Sequence, residues 1–265
     1  MATPPPAGTG GAQAGATGPS EPREVTVTHA DAKDKPKAIP VLIDDAPTAS
    51  DLVVLHLHGA SGGPTSKPME GMRALLAAEV PTATIVRHEF SGFGKVEPRV
   101  VSSTAVVKTL VESGELSPSP RRWLLIGHSF GTRVTSKLLS DIAAWLPAGD
   151  TLVGGMLVSF AASDGKDPPC IREEPTTIDK STRVAFIRGG KDQSARLSEF
   201  DPVYARFVAT KRRWDVEAMP HTPDFTKGKA AASVVQSVKE ALLWLLGGAP
   251  EEKEPDAKRQ KRDDA

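Results

Sequence analysis

Ser129 sits at the centre of Gly127-His128-Ser129-Phe130-Gly131, a G-x-S-x-G pattern. A serine hydroxyl attacks a carbonyl only when a base removes its proton and a third group orients that base. Of the six histidines in the chain, only His221 follows Ser129. It lies in a loop marked by Pro220 and Pro223, which makes it the candidate base. The acid belongs between the two. Asp192, after Gly189-Gly190-Lys191, is the first candidate, and Asp164 in Ala161-Ala162-Ser163-Asp164-Gly165 is its rival.

Acyl transfer also requires donors for the negative charge that develops on the attacked carbonyl oxygen. The backbone N–H of Phe130 is one candidate. The second should come from His58-Gly59-Ala60-Ser61-Gly62-Gly63, at Ala60 or else Ser61. That stretch lacks the G-x4-G-K-[ST] spacing of a phosphate-binding loop. G-x-S-x-G alone is weak: chance produces it in about one in seven chains of this composition, so its placement between strand and helix must decide.

The elements around it supply that placement. β-rich runs lie at 25–28, 39–43, 52–57, 82–86, 123–126, 152–158, 184–187 and about 214–218. Several are continuously apolar, as expected of strands covered on both faces. Helical periodicity falls between them, at 69–80, 104–111, 131–146 and 230–246, the last ending on Gly247-Gly248. Alternating strands and helices predict an α/β domain with a mostly parallel sheet of about eight strands and helices on both faces. The first two strands, joined without a helix, predict an antiparallel edge. The 123–126 strand running into Gly127 and then a helix forces a tight reversal at Ser129. Glycine at both second neighbours removes side chains that would clash there.

Residues 1–22 carry no large apolar side chain beyond Met1, and residues 249–265 are a charge run, so the folded domain is expected over 23–248 between two disordered tails. Lys258, Arg259, Lys261 and Arg262 form a basic cluster of the kind an import receptor reads. With 33 basic and 33 acidic residues there is no domain-wide positive field for nucleic acid. The one cysteine, Cys170, cannot form an internal disulfide, and no Cys/His spacing suits zinc. No apolar run reaches membrane-spanning length, and the N-terminus lacks signal-peptide order. These features predict a cytoplasmic protein, with nuclear entry through the basic cluster as the alternative, and no metal or cofactor.

The strand and turn Leu52-Val53-Val54-Leu55-His56-Leu57-His58-Gly59-Ala60, the segment Ile85-Val86-Arg87-His88-Glu89-Phe90, the elbow, the Gly189-Gly190-Lys191-Asp192 turn and His221-Thr222-Pro223-Asp224-Phe225 together resemble the α/β-hydrolase superfamily. The closer likeness is to its dienelactone-hydrolase-like branch, which includes testis-expressed protein thirty and the hydrolase-like domain of subunit three of the NSL histone acetyltransferase complex. It spans about residues 50–246. The resemblance implies Ser129 as nucleophile, Asp192 as acid, His221 as base, and an oxyanion hole near Ala60 and Phe130. Ser129 stands where true dienelactone hydrolases carry cysteine, so their substrate is not implied. Ser91-Gly92-Phe93-Gly94 replaces the branch's aromatic-proline step.

Two functions fit. One is a serine hydrolase acting on a small or extended ester, thioester or amide through an acyl-enzyme, with a minimal cap because few residues separate Phe160 from Thr182. The other is a catalytically idle scaffold or interaction subunit, of a nuclear chromatin complex if the basic tail directs import.

Overall fold

The structure is a computed structural model and describes residues 21–30, 35–48, 50–60, 62–90, 95–116, 119–162, 177–228 and 230–248. Residues 1–20 and 249–265, the latter with the 258–262 basic cluster, and Ser61, Ser91 to Gly94, Asp164 and Cys170 lie outside the described residues.

Among the described residues eight strands form one sheet: β1 (Arg23–Ala30), β2 (Pro36–Asp44), β3 (Leu52–Leu57), β4 (Thr84–His88), β5 (Arg122–His128), β6 (Thr151–Val158), β7 (Arg183–Gly189) and β8 (Thr210–Val216). Their order is β1-β2-β4-β3-β5-β6-β7-β8. Only β2 runs against the others, pairing antiparallel with β1 and β4. The remaining neighbours are parallel. The antiparallel edge expected from the helix-free link between the first two strands is therefore present.

Among the described residues five helices cover the sheet: α1 (Lys67–Glu79), α2 (Val96–Glu112), α3 (Phe130–Ser140), α4 (Leu197–Arg206) and α5 (Ala231–Leu245). Strand side chains alternate between two cores. Val53, Leu55, Leu57, Trp123 and Leu125 join Val106, Val134, Leu138 and Phe200 on the side of α2, α3 and α4. Leu52, Val54, Leu124 and Ile126 join Leu76, Val234, Val238 and Leu242 on the side of α1 and α5. Because both faces are buried, β3 is apolar at five of its six positions rather than alternating. No helix among the described residues is long and apolar enough to cross a membrane.

β8 begins at Thr210 rather than near Trp214, and three helical elements differ from the sequence expectation. The third predicted helix was to run to Leu146, but α3 stops at Ser140, and Asp141 turns out of the helix at φ −138°. Trp145 folds back so that its ring meets Trp123 edge-on, centroids 5.9 Å apart, and its indole N–H donates to the Leu138 carbonyl at 2.9 Å. The indole thus adds a second donor to a carbonyl that already accepts the Asp141 N–H at 3.3 Å. The second helix starts at Val96 rather than 104, and α4 has no counterpart in the sequence reading. Its Phe200 and Tyr204 pack on Phe186, with Phe160 and Phe207 completing an edge-to-face aromatic group.

Candidate active site

The C-terminal ends of β3, β5, β7 and β8 and the loops that leave them define the site. β5 ends at His128 and α3 begins at Phe130, so Ser129 alone makes the reversal, at φ 51° and ψ −118°. For a residue with a Cβ this conformation costs on the order of 1–3 kcal/mol. The surroundings hold it there. The Ser129 N–H donates to the Val158 carbonyl at 3.0 Å, and its own carbonyl accepts from the Thr132 N–H at 3.0 Å. Both elbow glycines are required by space. A Cβ on Gly131 would lie 2.2 Å from the Leu57 carbonyl oxygen, and one on Gly127 would lie 2.6 Å from that of Gly131.

Asp192 and His221 reach Ser129 from two adjacent strands. After β7 the Gly190 N–H donates to the Val216 carbonyl at 2.9 Å and the Lys191 N–H to that of Met219 at 3.1 Å, fastening this turn to the loop after β8. Asp192 caps the short turn that follows, accepting the Ser194 N–H at 2.9 Å. Its side chain is fully buried. His221 leaves the β8 loop with Nδ1 donating to both Asp192 carboxylate oxygens at 3.0 Å. That bond fixes the tautomer, leaving Nε2 as the acceptor of the Ser129 hydroxyl at 2.7 Å. The imidazole side chain is 37% exposed, so one side of it faces water. The loop is anchored beyond: Asp224 accepts the Lys67 ammonium of α1 at 2.6 Å and the Thr226 N–H at 2.9 Å. The Lys67 contact is the main reason the Asp224 carboxyl lies below the usual carboxylate range.

His128 donates from Nε2 to the His221 carbonyl at 3.4 Å. Burial pushes it down to about 4, so it is neutral at physiological pH. His58, from the loop after β3, is held at about 4 by burial, against the raising effect of its bond to the Gly59 carbonyl. His56 inside β3 is buried and pushed far down for the same reason. The Ser129 hydroxyl bonds to His221 instead.

Ala60 lies exposed at the mouth, next to Gly59, whose own Cβ, if added, would sit 3.3 Å from Ser129 Cβ and 3.6 Å from its Oγ. Phe130 opens α3, so its N–H is one of the free donors at a helix N-terminus, where the dipole adds positive potential. Ser61, the second choice for the loop donor, and Asp164, the rival acid, are outside the described residues. Among the described residues no three His, Cys, Asp or Glu side chains converge to hold a metal ion.

Sequence reasoning passed over Arg99. The structure buries it on α2 between the rings of Phe90 and Phe130, its guanidinium carbon 4.5 Å from each centroid. Its Nη1 donates to the Gly59 carbonyl at 3.1 Å and Nη2 to the Ala60 carbonyl at 3.4 Å. The available signal was weak: Arg99, Ser102 and Ser103 share a helix face with Val106, and a polar run of this kind reads as a solvated face.

No protein-family model matches the sequence, and no curated protein matches it. Solved structures do. An esterase from Pyrococcus furiosus is 18% identical, with a TM-score of 0.63 over 84% of this chain and 91% of that one. Dienelactone hydrolase from Anabaena variabilis is 11% identical, with a TM-score of 0.59 over 85% of this chain and 99% of that one. An α/β serine hydrolase without a lid from Xanthomonas campestris is 15% identical, with a TM-score of 0.55 over 88% of this chain and 98% of that one. The chain thus has the α/β-hydrolase fold. Identities this low speak for the fold alone, and the activity must be argued from the site.

Proposed function

We propose that the protein is a serine hydrolase of the dienelactone-hydrolase-like branch, cleaving a small or extended ester, thioester or amide. The single observation that carries this is the continuous chain from Ser129 Oγ to His221 Nε2 at 2.7 Å and from His221 Nδ1 to Asp192 at 3.0 Å. In this reading His221 takes the Ser129 proton as Oγ forms a bond to the substrate carbonyl carbon. The carbonyl π pair moves onto oxygen, where the N–H groups of Phe130 and Ala60 receive it. Asp192 stabilises the imidazolium without taking its proton. Collapse of the tetrahedral adduct breaks the bond to the leaving group, which accepts the proton from His221. Water, deprotonated by the same imidazole, then attacks the acyl-serine and releases the acid.

Ser129 is held at φ 51°, much as Ser159 is at φ 55°, but the Ser129 hydroxyl meets an imidazole, an arrangement for which a scaffold without turnover has no chemical use. Such strain persists where surrounding structure over-determines it, and functional sites are where it collects.

A fluorophosphonate probe tests the proposal. Wild-type protein should be labelled and Ser129→Ala should not, with both folded by circular dichroism. Well-folded wild type that resists the probe would remove the assignment and leave the scaffold reading. A panel of p-nitrophenyl esters, acyl thioesters and anilides, run on the same pair, then narrows the acyl group.

A further inference from the structure

Two N–H groups that receive the oxyanion must point to one place, yet they come from different strands. Phe130 belongs to the elbow after β5, and Ala60 to the loop after β3. The elbow donor is fixed by the start of α3. The loop donor has no helix to fix it, and Gly59 beside it leaves the 59–60 peptide free to rotate. Something must hold that peptide.

Arg99 touches both halves. One of its nitrogens donates to the Gly59 carbonyl at 3.1 Å, and its guanidinium carbon lies 4.5 Å from the ring centroids of both Phe90 and Phe130. His58 Nδ1 adds a second donor to the same carbonyl at 2.7 Å. In a trans peptide the N–H points opposite to the C=O. Two donors gripping the Gly59 oxygen therefore turn the Ala60 N–H away from them and hold it there. Arg99 is only 2% exposed. A guanidinium carried into the interior must gain hydrogen bonds and aromatic contact in return, because its desolvation is costly.

We infer that Arg99 is a positioning residue of the oxyanion hole: it orients the Ala60 N–H through the Gly59 carbonyl while bracing Phe130, which bears the second donor. The inference rests on the reading of Ser129 as nucleophile. Arg99 touches neither substrate nor the reacting atoms in this role. Its action is on the geometry of the donors, so it should appear in the transition state and leave ground-state binding nearly alone.

The experiment compares wild type, Arg99→Gln and Arg99→Lys with a short-chain p-nitrophenyl ester and with a trifluoromethyl ketone inhibitor, which places an oxyanion in the hole. Loss of one oxyanion donor costs about 10²–10³-fold in turnover in other hydrolases. Arg99→Gln is expected to lower kcat by about 30-fold or more with KM changed by about 3-fold or less, and to weaken the ketone by the same factor as kcat. Arg99→Lys, which keeps the charge and can reach one carbonyl but cannot stack as a plane, should recover part of both. A kcat equal to that of wild type in folded Arg99→Gln overturns the inference. So does a loss confined to KM, or a ketone affinity that does not follow kcat. If Arg99→Gln does not fold, the same comparison is read from Arg99→Lys. Wild type inert to ester and probe alike removes the hydrolase reading itself, whereas active wild type matched by its Arg99 variants removes only this one.

Discussion

The α-carbon of Gly131 faces the backbone of β3 so closely that a methyl group there would lie 2.2 Å from the Leu57 carbonyl oxygen and 2.7 Å from that of His58. Neither oxygen belongs to a flexible side chain. Gly131→Ala must push α3 away from β3, which moves the elbow and the oxyanion loop apart at once. The expected cost is about 3 kcal/mol or more, at the upper end of overpacking effects. Thermal unfolding should show a lowered midpoint, and fluorophosphonate labelling should slow even where the variant is folded. A variant with wild-type midpoint and labelling would mean that the elbow tolerates a wider separation from β3 than its geometry allows.

Asp192→Asn tests the acid with little change of shape. The amide oxygen can keep the Ser194 N–H, now held at 2.9 Å. Its NH2 would then face His221 Nδ1, which must become an acceptor, placing the ring proton on Nε2 against the Ser129 hydroxyl. The base is blocked by its own tautomer. Labelling and turnover should fall by about 10³–10⁴-fold with the fold retained. Asp164→Asn, made alongside, should leave both unchanged. The reverse pattern would transfer the acid's role to Asp164.

The central strands and the elbow were legible in the sequence because strands buried on both faces write continuous apolar runs and the tight turn after β5 writes glycines around Ser129. That Asp192 and His221 would lie at the same sheet edge as Ser129 was legible by order and by their turn residues. Where the buried face is polar, the pattern fails. The first half of α2 buries Arg99, Ser102 and Ser103, so its helical stripe shows no apolar period, and Pro98 in its first turn looks like a break although no helical hydrogen bond is lost there. In α4 the interior Pro202 conceals a helix held by Phe200 and Val203. Trp145 continues the apolar spacing of α3 while standing outside it, since a period cannot tell a helix from a chain that folds back on its own end. Contacts of Arg99 with Gly59, 40 residues away, leave no local trace at all.

At the opposite edge of the sheet, Asp150 organises the entries of β5 and β6. Its carboxylate accepts the Trp123 indole N–H at 2.9 Å, the Arg121 N–H at 2.9 Å, the Ser119 hydroxyl at 2.9 Å and the Arg121 guanidinium at 3.1 Å. Burial alone would raise this carboxyl. The bonds from Trp123, Arg121 and Ser119 outweigh it and hold Asp150 below the usual carboxylate range. Asp150→Ala strands those donors in the interior and should cost about 3–5 kcal/mol. A lowered urea midpoint with unchanged kcat below the transition is the expected result, because the site lies at the other end of the strands. Loss of kcat in folded protein would show that the two edges are coupled.

The buried histidines set the acid limit of stability before Asp150 does. Burial is the leading cause that holds His58, His88 and His128 at about 4, against 6.5 for a free imidazole. Between these values the unfolded chain binds protons that the folded chain refuses, so unfolding becomes easier as pH falls. Stability is therefore full above about 6.5 and declines as pH falls; the share of His58, His88 and His128 is spent by about 4, where their folded rings protonate too, while His56, which burial holds further down, goes on lowering stability below that. Asp150 acts in a separate window: its folded value is depressed, so its contribution is complete above 3.8 and is lost as pH falls lower. Urea midpoints measured from pH 7.5 down to pH 3 should show both declines. His88→Gln, which removes one titrating group away from Ser129, should flatten the upper one and leave the lower. A midpoint constant between pH 6.5 and pH 4.5 would mean that these rings accept protons in the folded state, which requires water or a carboxylate to reach them, and the Glu89 carboxylate 3.5 Å from His58 Nε2 would be the first partner to test.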